Sequence, residues 1–243
     1  MIQLEDIQKS FNSTIVLNDI NLSIHSNTIV TIIGKSGCGK TTLLNIIAGI
    51  YEPTKGEIRI HKNREEAVVY LTQKPTLLSY RTAYENALLG VEIRNSIDSN
   101  TIVTRQELFN LFGLSDAETK YPNELSGGMK QRVGVIQSIL IESDIYLLDE
   151  PFNAIDRNTL RKVEKKLWER FKEKNSSVVL VTHDIEQAIL MSDRILMLSS
   201  NPGNIVYDLN FSDEFSKLEP GKRKDTPEFN EYLIDIVKKI GTL

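Results

Sequence analysis

A mixed α/β fold is predicted, with a mainly parallel sheet as its core, an antiparallel β subdomain at the N-terminal end and a helical subdomain inserted between. Three observations predict it. From about residue 143 to 198, short apolar runs alternate with helix-period segments, the pattern of a parallel sheet with helices on both faces. Residues 1 to about 30 instead alternate apolar and polar positions between polar turns, as antiparallel strands do. From about Pro75 to Glu124 the apolar spacing becomes helical. The 243 residues, 40% hydrophobic and 26% charged, are enough for a sizeable core. One domain is expected over 1–243. Residues 1–74 and 143–210 form the α/β core with its β subdomain, 75–142 the helical subdomain and 211–243 a C-terminal tail helix.

Taken in order, Ile2, Leu4 and Ile7 alternate, followed by the apolar runs 15–17 and 20–24 with turn residues between them. Phe11 sits in a polar turn; it either covers core or offers a stacking surface to a nucleobase. Residues 29–33 form a buried strand and 42–48 a helix. The segment 57–60 reads as an exposed strand and 67–71 as a buried strand ending at Thr72-Gln73. Tyr84, Ala87 and Leu88 share a helix face, as do Leu108, Leu111 and Phe112, with Gly113 as a C-cap. Ser126 opens a helix running to about Glu142. Strands at 145–148, 178–181 and 195–198 are separated by helices at 157–174 and 185–191. In the tail, Phe229, Tyr232, Leu233, Ile236, Val237 and Ile240 make a stripe that packs on the chain's own core or docks a partner.

Chemistry concentrates at Gly34-Lys35-Ser36-Gly37-Cys38-Gly39-Lys40-Thr41, which fits the phosphate-loop pattern G-x-x-x-x-G-K-[ST] between a strand and a helix. Glycines let successive N–H groups face one oxyanion, and the helix start adds its free N–H groups and positive dipole end. Lys40 can reach terminal phosphates and the Thr41 hydroxyl can ligate Mg²⁺. Asp149-Glu150 ends the strand 145–148, where one carboxylate can serve Mg²⁺ and the next can polarise a water. His183 has a similar strand-end placement, whereas His25 and His61 read as structural. Ser126, Gly127 and Gly128 present a hydroxyl and bare N–H groups at a helix start, a second anion site.

Net charge is -4, unlike the basic footprint of a nucleic-acid binder, so no nucleic-acid partner is expected. No apolar run approaches the roughly 18 residues of a membrane span, and Met1 to Asp6 lack signal-peptide blocks. The single cysteine, Cys38, leaves no intramolecular disulfide, which suits a reducing cytosol.

With these motifs placed, the chain resembles the ATP-binding cassette (ABC) ATPases over nearly its whole length. Residues 34–41 resemble that family's Walker A loop, Gln73 its Q-loop glutamine, 125–131 its signature motif, 145–150 its Walker B strand, Asp156 its D-loop aspartate and His183 its switch histidine. The resemblance implies the ABC ATPase fold and ATP with Mg²⁺ as cofactors. It implies ATP contacts from Phe11, from the loop residues Gly34, Lys35, Ser36, Gly37, Cys38, Gly39, Lys40 and Thr41, and from Thr42. Thr41, Gln73 and Asp149 would serve Mg²⁺. Glu150 would be the general base, with His183, Gln73 and Lys40 completing the catalytic set. Ser126, Gly127, Gly128 and Gln131 would face the ATP of an opposite copy.

The signature string LSGGMKQRV, residues 75–82 and the stretch around Asn201-Pro202-Gly203 resemble the importer branch for nitrate, sulfonates and taurine. That implies a second copy of the chain, two membrane-spanning permease subunits, a solute-binding protein and a place at the cytoplasmic face of the cell membrane. An exporter ATPase and a non-transport ABC ATPase acting on ribosomes or nucleic acid are the alternatives. Tyr80, Asn153-Ala154-Ile155-Asp156 and Ile136-Gln137-Ser138 depart from the family's usual residues.

Overall fold

The computed structural model describes residues 1–61 and 68–241. Ala67, expected to begin a strand, lies outside them. The N-terminal sheet has three antiparallel strands in the order β2-β1-β4, formed by β1 (Ile2–Phe11), β2 (Thr14–Ile24) and β4 (Lys55–Ile60). The two apolar runs at 15–17 and 20–24 are one strand rather than two. The Asn and Asp residues expected to turn the chain instead make bulges. Asp6 and Asp19 take positive φ values of 50° and 49°, and the Asn21 side chain accepts from the Asp6 N–H at 2.9 Å while donating to Asp19 at 2.8 Å.

The central sheet has six strands in the order β5-β6-β7-β3-β8-β9. These are β3 (Ile29–Gly34), β5 (Val68–Leu71), β6 (Ile145–Asp149), β7 (Ser177–Val181), β8 (Arg194–Leu198) and β9 (Ile205–Asn210). All pairings are parallel except β8 with β9. Strands β6 and β7 are buried at every residue, as parallel strands covered on both faces must be. Strand β9, which follows the Pro202-Gly203 turn, alternates half-buried and exposed positions at the edge.

The inserted subdomain consists of α2 (Ala83–Ile93), α3 (Ser99–Leu111) and α4 (Gly127–Leu140). Helix α2 opens on a capping box in which Thr82 and Glu85 satisfy each other's backbone N–H, and α4 on Ser126, whose hydroxyl accepts from the Met129 N–H at 3.2 Å. Val133, Ile136 and Ile139 of α4 join Ala83, Ala87 and Leu88 of α2 in one core cluster that also takes in Leu148 and Val178 of the sheet. The helical subdomain is therefore packed onto the sheet rather than tethered to it.

Three helices close the core behind the sheet's strand ends: α1 (Lys40–Ile47), α5 (Arg157–Glu173) and α6 (Ile185–Met191). Helix α1 starts at Lys40, two residues before the apolar pattern begins, because Gly39 at φ 102° turns the chain directly into it. The expected single tail helix is three: α7 (Asp213–Lys217), α8 (Pro220–Arg223) and α9 (Pro227–Gly241). On α9, Phe229 and Ile236 are buried against Ile33, Ile189 and Ile195, so this stripe packs on its own core. Val237 departs from that expectation and is 50% exposed.

Candidate functional site

The phosphate loop joins β3 to α1 at the C-terminal edge of the parallel strands, where open α/β sheets bind ligands. Its glycines are required by space as well as by torsion. A Cβ on Gly34 (φ 153°) would lie 2.8 Å from both Cys38 Sγ and the Leu198 carbonyl oxygen, and one on Gly39 2.6 Å from Leu17 Cδ2. Lys40 Nζ donates to the carbonyls of Gly34 at 2.8 Å and Lys35 at 3.0 Å, so the ammonium is folded back over the loop. Ser36, Gly37 and Thr42 line the cleft, while Lys35 contributes its carbonyl. Cys38 does not line it. Its side chain is buried in the core with Leu17 and Leu43.

Strand β6 delivers Asp149 to this loop. The Thr41 hydroxyl donates to Asp149 Oδ2 at 2.7 Å, joining the two residues expected to serve Mg²⁺. Burial raises the Asp149 carboxyl above its usual range, and the Thr41 hydrogen bond works against that rise. One residue on, Glu150 takes φ 51°, and its N–H donates to the Val181 carbonyl at 2.9 Å. That left-handed turn aims the carboxylate at His183, whose Nδ1 lies 3.0 and 3.1 Å from its two oxygens. Glu150 is buried and His183 is largely exposed, so the imidazole closes the cleft from the solvent side. A cleft of about 430 Å³ holds Lys40, Thr41, Gln73, Asp149, Glu150 and His183 together.

The other expected site residues stand outside this cleft. Ser126 and Gly127 are exposed, and a Cβ on Gly127 would meet nothing within 4 Å. Gly128 faces Ala154, whose Cβ would be 3.4 Å from an added methyl. Asp156 caps α5, accepting from the N–H groups of Asn158 and Thr159 at 3.1 Å; hydrogen bonds from Thr159 lower its carboxyl pKa. The Gln131 amide donates to the Glu150 carbonyl of its own chain at 2.9 Å, bracing the turn at Glu150. Phe11 packs edge-to-face on Tyr51, centroids 5.4 Å apart, with Lys9 Nζ 5.0 Å from its ring centre.

Sequence reasoning missed Val16 and Asn153, which also line the cleft, and Gly203. Gly203 N–H donates to the Val16 carbonyl at 2.8 Å, and a Cβ there would sit 2.2 Å from the Cys38 carbonyl. The Pro-Gly turn after β8 thus wedges behind the phosphate loop. Its glycine was visible in the sequence, but its neighbour was not.

Residues 17–153 match the model of the family described as ABC transporter. The chain belongs to the ABC transporter family. It is accordingly an ATP-hydrolysing enzyme. It is 36% identical over 234 residues to an uncharacterized ABC transporter ATP-binding protein, YtlC, of Bacillus subtilis, covering 95% of this chain and 90% of that one. It is 33% identical over 249 residues to the taurine import ATP-binding protein TauB of Yersinia pestis, covering 99% and 97%. Among solved structures it resembles the dimeric ABC transporter cassette MJ0796, with 29% identity and a TM-score of 0.76 over 87% of this chain and 99% of that one.

This cassette suits Mg²⁺ by the nature of its donors. Thr41 and Asp149 offer adjacent hard oxygens, and Mg²⁺ takes few protein ligands because it keeps waters and phosphate oxygens. Among the described residues no group of three or more His, Cys, Asp or Glu could hold a metal. No helix among the described residues is long and apolar enough to cross a membrane.

Proposed function

We propose that the chain is the ATPase subunit of an importer for a small solute of the nitrate, sulfonate or taurine class. In this reading two copies sandwich ATP and dock on two membrane-spanning permease subunits at the cytoplasmic face, with a solute-binding protein outside. The observation that carries it is the split arrangement of the site: the hydrolytic groups meet in one cleft, while Ser126 and Gly127 lie exposed outside it. A helix start with free N–H groups facing solvent suits a phosphate brought by another molecule. The relatives sharpen the class: TauB is a taurine import protein, and the nitrate import protein NrtC of Synechococcus elongatus is 39% identical over 198 residues, 77% of this chain and 29% of that one.

Lys40 would leave the loop carbonyls for the terminal phosphates, and Thr41 with Asp149, joined by Gln73, would hold Mg²⁺. That ion, when bound, would offset charge on the phosphate oxygens. Glu150 would take the proton of the attacking water, held in place by His183 on one side and by Gln131 through its own backbone on the other. Phe11 would stack on the base.

The test has two arms. A tagged chain expressed with its neighbouring genes should recover a polytopic membrane protein, and vesicles carrying that complex should accumulate solute on the side where ATP is hydrolysed. Recovery of ribosomes or nucleic acid instead, or solute movement away from that side, overturns the importer reading.

A further inference from the structure

One buried acid has no part in the chemistry above. Glu164, in the middle of α5, is 3% exposed, and among the described residues its side-chain hydrogen bond comes from Gln187 Nε2 at 3.3 Å. Gln187 is itself 5% exposed and lies in the first turn of α6, where its N–H donates to the capping Asp184 at 3.0 Å. Of the two helices joined by this bond, α5 opens on its cap Asp156 outside the cleft, and α6 begins two residues after His183, which lines it. We propose that Glu164 is a positioning residue for hydrolysis: its hydrogen bond to Gln187 fixes the first turn of α6, and with it the contact between His183 and Glu150.

The physical case is that a buried polar pair has no water to fall back on, so each partner fixes the other's place. Asp184 links the pair to His183 by one peptide bond, and a small shift of that turn would move Nδ1 off Glu150. The charged groups facing Glu164 are Asp184 on α6, Arg161 on α5, and Lys224 beyond α8, the last paired with Glu186 at 2.7 Å. Burial raises the Glu164 carboxyl to about 7, the Gln187 hydrogen bond pulling it down and Asp184 adding to the rise.

The inference rests on His183 and Glu150 acting together as proposed above, and the experiment separates the two. ATPase kcat and KM are measured on the full chain for Glu164→Leu, His183→Ala and the double variant. Glu164→Leu should lower kcat about two- to tenfold, the worth of one hydrogen bond, with KM for ATP unchanged. That loss should vanish in the His183→Ala background, because the two substitutions act on one contact. A normal kcat for His183→Ala overturns the reading of the histidine. An impaired His183→Ala beside a normal Glu164→Leu, or losses that simply multiply, overturns the positioning role alone. Glu164→Gln keeps the hydrogen bond and the volume, so it tests the idea even where the leucine variant does not fold. Its kcat should stay within about twofold of the parent, because Gln187 keeps an acceptor at that position. A loss in Glu164→Gln as large as that in Glu164→Leu overturns the positioning role.

Discussion

The cleft at Gly34 to Thr41 and the helix start at Ser126 to Gly128 are both glycine-rich, yet they are built in opposite ways. The first is closed on itself. Its lysine bonds its own carbonyls, its threonine bonds Asp149, and Glu150 bonds His183. The second is open: Ser126 caps one N–H, and the space above Gly127 is empty. A site whose groups already satisfy one another can be placed by one chain's sheet. A site left bare toward solvent takes its meaning from what arrives there.

Four substitutions break or sharpen this contrast, and the largest effect belongs to the closed site. Glu150→Gln keeps the shape of the side chain but removes the proposed base, so kcat should fall on the order of 10³-fold while ATP still binds. A turnover near normal in that variant removes Glu150 from the chemistry. Gly127→Asp comes next and addresses the open site. A Cβ added there meets nothing within 4 Å, and an acid in the first turn of a helix favours folding. The melting temperature should hold or rise slightly. Hydrolysis should nonetheless fall about a hundredfold, because a carboxylate there repels the partner's phosphates. If hydrolysis persists, the helix start is only a cap. Lys40→Ala follows: losing one charge-assisted contact should weaken ATP binding about ten- to hundredfold, read by a fluorescent-ATP titration. Equal affinity would mean that the ammonium stays on the loop carbonyls.

The closed site was largely legible because its parts are local. A strand, a glycine turn and a helix follow one another in sequence, and Asp149, Glu150 and His183 each follow a short apolar run. What could not be read depends on which surfaces meet. Gln131 lies in the signature string, and only the packing of α4 against β6 turns its amide onto the Glu150 carbonyl. Arg223, between Lys222 and Lys224, is completely buried. It donates to the carbonyls of Leu218, Ile189, Ser192 and Ser216, including those at the C-terminal end of α6. Burial lowers its pKa to about 10 even though Asp193 pulls it up. Lone arginines carry no sign in the sequence that a helix end elsewhere will need their donors. In strand β9, Ile205, Tyr207 and Leu209 alternate with Val206, Asp208 and Asn210 as their burial does, and only the antiparallel partner β8 was not legible.

The smallest effect is expected where the sequence invited the largest. Cys38 stands inside the phosphate loop, and position alone suggests that alkylating it would block the site and that ATP would shield it. Its side chain is instead 1% exposed, pressed between Gly34 and the core, while its neighbours Ser36 and Gly37 face the cleft. The folded protein should therefore react with a maleimide only when the loop opens locally, far more slowly than the unfolded chain. Nucleotide that closes the loop should slow it further through linkage, without touching the thiol. Cys38→Ser should cost about 1 kcal/mol of stability, since a more strongly solvated hydroxyl replaces a buried thiol that the Lys40 ammonium approaches at 3.7 Å, and leave ATP affinity within about threefold of the parent. Rapid labelling of the native protein, or an ATP affinity that collapses in the serine variant, would place the thiol in the cleft and make the loop more open than its hydrogen bonds suggest.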